Sequence, residues 1–138
     1  MSDANPPLLD IHLFAKQGEL DEVKKIVQKD PEMVHAKSKH GDVPLHLAVD
    51  AGEIEVVDYL LSKGGELNDR TKYGRSPLHR SAWKGQLEMA KFLVDKGAEL
   101  NSQDIYGNTP LDTATSKELR LYLREIGCMH GSELENSN

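Results

Sequence analysis

The sequence predicts an all-α repeat solenoid, made of stacked helix-turn-helix units joined by short β-hairpin loops. Three observations carry that prediction. The phrases "GDVPLHLAVDAG", "GRSPLHRSAWKG" and "GNTPLDTATS" begin at Gly41, Gly74 and Gly107, so one pattern recurs every 33 residues. The first two phrases are each followed by apolar residues at helical spacing. A unit of two short helices and a turn cannot bury such a stripe alone, whereas neighbours stacked at a fixed period can.

The opening unit, "LLDIHLFAKQGELDEVKKIVQKDPEMV", lacks the proline phrase but keeps a helix on either side of Gly18. Asp10 is its expected N-cap, because a short acidic side chain accepts from the free amides of a first turn. Leu20, Val23, Ile26 and Val27 form its stripe, and Lys24, Lys25, Gln28 and Lys29 the wetted face of a terminal repeat. The second unit carries Pro44, Leu45 and Ala48, then Gly52, then Ile54, Val57, Leu60 and Leu61, then Gly64. In the third, Ser76 is an N-cap and Pro77 sits at the first helical position, where a missing N–H costs nothing. Its second helix places Leu87, Ala90, Leu93 and Val94 on one side and stops at Gly97. In the last unit Thr109 and Asp112 make a capping box, and "TSKE", Thr115 to Glu118, is expected to make a second one for a helix bearing Leu119, Leu123 and Ile126. Residues 1–7 and 128–138 are polar and aperiodic and read as disordered tails. The expected domain is 8–127, with repeats near 8–37, 38–70, 71–103 and 104–127.

These phrases resemble the ankyrin-repeat family, whose "G-x-T-P-L-H-x-A" pattern is matched by "GDVPLHLA", "GRSPLHRS" and "GNTPLDTA". The second-helix phrase is matched by "GEIEVVDYLLSKGGELN" and "GQLEMAKFLVDKGAELN". Departures are local. Val43 stands at the N-cap where the family has Thr, so Val43→Thr is expected to stabilise by about 0.5–1 kcal/mol. Arg80 and Ser81 replace the usual Leu and Ala, and Asp112 replaces the His of the last phrase.

Composition narrows the function. Seventeen Lys and Arg against twenty-three Asp and Glu give a net charge of −6, which argues against nucleic acid or an anionic membrane as partner. The single cysteine, Cys128, leaves no internal disulfide and fits a reducing cytoplasmic or nuclear setting. No run of about 18 apolar residues marks a membrane span, and the start "MSDANPPLLD" has no cationic region followed by an apolar stretch. The polar ending "GSELENSN" is what a chain stopping there would show. His46 and His79 recur at one spot, but no nucleophile, paired acid or Gly-rich phosphate loop accompanies them, so catalysis is not expected. His35, His40 and His46 have suggestive spacing for a metal but no Cys pair, so no metal or other cofactor is expected. Cys128 reads as an inert thiol.

The resemblance implies instead a non-catalytic module that binds another protein, through finger tips and the exposed side of the first helix on a concave face. Carried over position by position, the partner-binding candidates are Lys39, His40, Asp42 and Asp50, then Lys72, Tyr73, Arg75, Trp83 and Lys84, then Ile105, Tyr106 and Asn108. From Arg70 to Leu87 there are five cations and no acid, which suits an acidic segment on an adaptor's or inhibitor's target. No small-molecule substrate is expected, and a monomer is. The other reading is a passive structural or assembly subunit with no ligand of its own. Asn68 and Asn101 end "LLSKGGELN" and "LVDKGAELN", a pattern resembling that of asparagine hydroxylation in the family; each also suits a plain turn asparagine.

Overall fold

A computed structural model describes residues 9–135. The expected tail at 1–7 lies outside them. Nine α-helices and one 3₁₀ turn are found among the described residues, and no strand. The described chain divides into two compact units, with the boundary between Glu66 and Leu67. In the first, α1 (Asp10–Gln17) and α2 (Leu20–Lys29) are followed by the 3₁₀ turn Pro31–His35, then α3 (Pro44–Asp50) and α4 (Ile54–Ser62). In the second, α5 (Pro77–Trp83) pairs with α6 (Leu87–Asp95), α7 (Pro110–Thr113) with α8 (Lys117–Glu125), and α9 (Gly131–Glu135) closes the described chain.

The helix starts follow from the proline phrases. Pro44, Pro77 and Pro110 each occupy the first helical position. Ser76 Oγ accepts from the His79 amide at 3.3 Å, and Thr109 Oγ1 from that of Asp112 at 3.3 Å. Two caps differ from expectation by one residue. Asp10 is the first helical residue of α1, with Leu9 at the cap, and Ser116 rather than Thr115 caps α8 by accepting from the Leu119 amide at 3.0 Å. Thr115 donates its hydroxyl to the Trp83 carbonyl instead.

The stripes become the cores. Ile11, Ala15, Val23, Val27, Leu45, Ala48, Val56, Val57 and Leu60 are buried in the first unit, and Leu78, Ala82, Met89, Ala90, Leu93, Leu111, Leu119 and Leu123 in the second. Lys24 departs from the expected wetted face: its ammonium lies 5.7 Å from the centre of the Tyr59 ring.

The expected hairpins are tight fingers with too few paired residues for strands. Each is closed by two backbone bonds. The Thr71 amide donates to Arg75 and the Gly74 amide to Thr71, at 3.0 and 2.9 Å; Asp104, Asn108 and Gly107 repeat the arrangement, as do Ser38, Asp42 and Gly41. The finger glycines Gly41, Gly74 and Gly107 have φ of 78°, 77° and 82°, a region hostile to other residues. At Gly74 a Cβ would also press on the Asp104 backbone at 3.2 Å, because adjacent fingers touch: the Ile105 amide donates to the Tyr73 carbonyl at 3.0 Å.

The C-terminal tail expected at 128–138 is not frayed over its described part. Residues 128–135 fold back, Cys128 is buried and α9 forms. Hydrogen bonds with Asn101, Thr109 and Asp112 hold them, which leaves no hydrophobic period in the sequence to announce the fold-back. Residues 136–138 lie outside the described chain.

Candidate partner-binding site

The finger at 104–108 is organised by Asp104, which sequence reasoning passed over. Its Oδ1 accepts from the Tyr106 and Asn108 amides, both at 2.9 Å, and Oδ2 lies 3.4 Å from Arg75 Nε. Thr71 plays the same part in the preceding finger, its hydroxyl accepting from the Tyr73 and Arg75 amides at 3.1 and 3.3 Å. The signal was present: Ser38, Thr71 and Asp104 each stand three residues before a finger glycine.

Arg75 joins the two fingers. Its guanidinium lies 5.5 Å from the Tyr73 ring centre and 5.8 Å from that of Tyr106, so both rings flank one cation. Asp104, whose side chain is fully buried, anchors that cation from below. Beside this centre Tyr106 is 66% exposed and Ile105 60%; Trp83, which ends α5 in the same unit, is 63% exposed. Lys72 and Lys84 are exposed, and Asn108 presents its side chain while its backbone serves the finger. A cleft of about 320 Å³ lies between the fingers, bounded by Arg70, Lys72, Gln103 and Ile105. Arg70 spans it, bonding the Gly74 and Gln103 carbonyls. In the first unit Lys39 and His40 are exposed, and Asp42 and Asp50 half-buried. The Asp42 amide donates to Ser38 Oγ at 3.2 Å.

The recurring histidines are built into the scaffold. His79 Nδ1 accepts from the Ser76 amide at 3.2 Å while Nε2 lies 2.8 Å from the Asn108 carbonyl, so the ring is neutral with its proton on Nε2. Burial holds it below the ordinary imidazole value, outweighing the support of the Asn108 carbonyl and the Asp104 charge. His46 accepts from the Val43 amide at 3.1 Å in the same way. A third member, His12, was missed: its Nδ1 accepts from the Leu9 amide, and Nε2 lies 2.9 and 3.0 Å from the Ala36 and Asp42 carbonyls. Aligning "IHLFA" with "LHLAV" reveals it without the proline. Asn68 and Asn101 are staples too. Their side-chain oxygens accept from the Glu99 and Met129 amides at 2.9 and 2.7 Å. Burial pushes the Cys128 thiol up to about 11, so it stays protonated.

Among the described residues no helix is long and apolar enough to cross a membrane, and no three His, Cys, Asp or Glu side chains converge as metal ligands. The family profile described as "Ankyrin repeats (3 copies)" matches residues 11–104 and 69–128. Curated relatives are similar over part of their length. The DNA-binding protein RFXANK of Homo sapiens is 41% identical over 58 residues, covering 42% of this chain and 22% of its own. The transient receptor potential cation channel subfamily A member 1 of Homo sapiens is 36% identical over 61 residues, 44% of this chain and 6% of its own. A putative ankyrin repeat protein of Fowlpox virus is 35% identical over 61 residues, 44% and 9%. The aligned parts thus make up under a quarter of each of these relatives. A profile match across most of the chain, with the fingers and helix pairs that recur every 33 residues, places the protein in the ankyrin-repeat family, an all-α repeat solenoid class whose domains typically serve as non-catalytic binding modules.

Proposed function

We propose that this chain is an adaptor or inhibitor that binds an acidic segment of another protein, as a monomer in the cytoplasm or nucleus, with the second unit's fingers and the end of α5 as the contact surface. The observation that supports this most is the cation held between Tyr73 and Tyr106, next to exposed Ile105 and in the same unit as exposed Trp83. A solvated surface rarely groups large amphipathic side chains; recognition surfaces do, and truncating such anchors costs about 1–3 kcal/mol each. Among the described residues Lys72 and Lys84 have no carboxylate partner within ion-pair distance, so they are available to steer an acidic ligand. Nucleic acid is the poorer ligand, because the net charge of −6 opposes it at long range.

The test is affinity capture with quantitative mass spectrometry, using wild type, a Tyr73→Ala/Trp83→Ala/Tyr106→Ala triple variant and Lys63→Ala at the exposed C-cap of α4. Proteins held by wild type and Lys63→Ala but released by the triple variant, and richer in acidic segments than the lysate, support the reading. Capture unchanged by the triple variant refutes it. Asn68 and Asn101 remain hydroxylation candidates; incubation with an asparaginyl hydroxylase and a gain of about 16 Da, one oxygen, would establish the modification.

A further inference from the structure

In the second unit, the repeat that contains α5 meets its neighbour with a donor. His79 carries its proton on Nε2 and points it at the carbonyl of Asn108, the residue before the next N-cap. His12 does the same towards Asp42 within the first unit. The last repeat reverses this polarity. At the matching position stands Asp112, which can only accept. Its Oδ2 still closes the cap, taking the Thr109 amide at 2.9 Å, but the same oxygen also takes the Gly131 amide at 2.9 Å, and Oδ1 lies 2.6 Å from His130 Nδ1.

The remaining contacts of this segment are as specific. Met129 is bonded through both backbone groups: its amide to Asn101 Oδ1 at 2.7 Å and its carbonyl to Thr109 Oγ1 at 2.6 Å. Asn101 holds Met129 as Asn68 holds Glu99 of the next repeat. Glu133 accepts from the His130 amide and from Arg124, at 2.9 and 2.6 Å. Gly131 is buried against the Gly107 carbonyl, with no room for a Cβ.

We propose that the exposed end of the last repeat is a peptide-docking site whose ligand is the chain's own Met129–Glu133 segment, and that Asp112 selects this segment over a further repeat. A carboxylate facing the place where a finger carbonyl would come is repulsive, whereas it is the right partner for a segment that offers an amide and an imidazole. One residue thus both rejects another repeat and recruits the terminator.

Cys128, the only cysteine of the chain, lies at the root of the segment and is 1% exposed, so its reactivity reports undocking. The experiment is native-state alkylation of full-length protein with a neutral thiol reagent at pH 8, the denatured chain setting the ceiling. Asp112→His is the decisive variant. It restores the ring that caps α5, so the α7 start survives, but it sets a nitrogen in place of the Oδ2 shared with Gly131 and removes the partner of His130. Wild type is expected to react at least a hundredfold below the ceiling, and Asp112→His at least tenfold faster than wild type with its helical circular dichroism retained. Gly131→Ala, which blocks the seat without touching the cap, is expected to show the same rise. Rates in both variants equal to wild type would overturn the docking site. A rise in Gly131→Ala alone would overturn the selective role of Asp112.

Discussion

At Val43 two residue-scale effects oppose each other. The side chain gives α3 no cap, leaving the His46 amide without the hydroxyl acceptor that Ser76 gives His79, yet it is only 2% exposed. Replacing a buried methyl by a hydroxyl loses about 1 kcal/mol of burial, and the new cap returns about the same. The gain expected from the family pattern alone therefore disappears: Val43→Thr should leave the urea midpoint within about 0.5 kcal/mol of wild type. A shift beyond that in either direction would show which term dominates. His79 makes a second case. Its folded-state pKa is depressed, so on acidification the unfolded chain binds the proton first. The stability it contributes is complete above the free imidazole value, about 6.5, and is lost as pH falls through it towards the folded value. The slope of stability against pH between 7 and 5 should be shallower in His79→Gln; an unchanged slope would assign the effect to other groups.

At the scale of the element, the fingers owe their shape to single side chains at their bases rather than to strand pairing. Asp104→Ala removes the acceptor of two finger amides and the carboxylate under Arg75, for an expected loss of about 2–3 kcal/mol. Asp104→Asn, which keeps one acceptor oxygen, should lose about half of that. Denaturant titration of both variants checks the order, and equal losses would mean that the charge, not the acceptor, holds the finger. Elements with a period were legible: the proline phrases gave the starts of α3, α5 and α7, and the apolar stripes gave α2, α4, α6 and α8. Elements held by individual polar bonds were harder to read. Asp104 shares its place with Ser38 and Thr71, but three different residue types fill that place. His12 keeps the repeat position without its proline, and Met129–Glu133 looked like a tail because its bonds to Thr109 and Asp112 have no counterpart at the repeat period among the described residues. Tyr73 and Tyr106 were singled out by position, but that Arg75 joins them depends on Asp104 and so on the folded finger.

For the whole molecule, the charge distribution sets how a partner arrives. Overall the chain is anionic, at −6, while the stretch from Arg70 to Leu87 is purely cationic. An acidic ligand is therefore repelled at long range and attracted near the fingers, where the Debye length of about 8 Å at physiological salt confines both effects. Once a ligand is in hand, raising the salt from about 50 to 200 mM should weaken Lys72→Ala/Lys84→Ala less than wild type, whereas Trp83→Ala should lower affinity at all salt concentrations. If Trp83→Ala costs less than Lys63→Ala, the contact surface lies elsewhere.

The neutral histidines give the chain a direction that bears on how its length can change. A copy of residues 74–106 inserted between Tyr106 and Gly107 would bring its own His79 equivalent and present a carbonyl to the original one, so donor and acceptor would match at both seams. The same copy appended after the last repeat would put a carbonyl against Asp112. On the proposed role of Asp112, the internal copy keeps its seams matched and the appended copy does not, so a protein enlarged by the first route should unfold at higher denaturant than the original while one enlarged by the second should not.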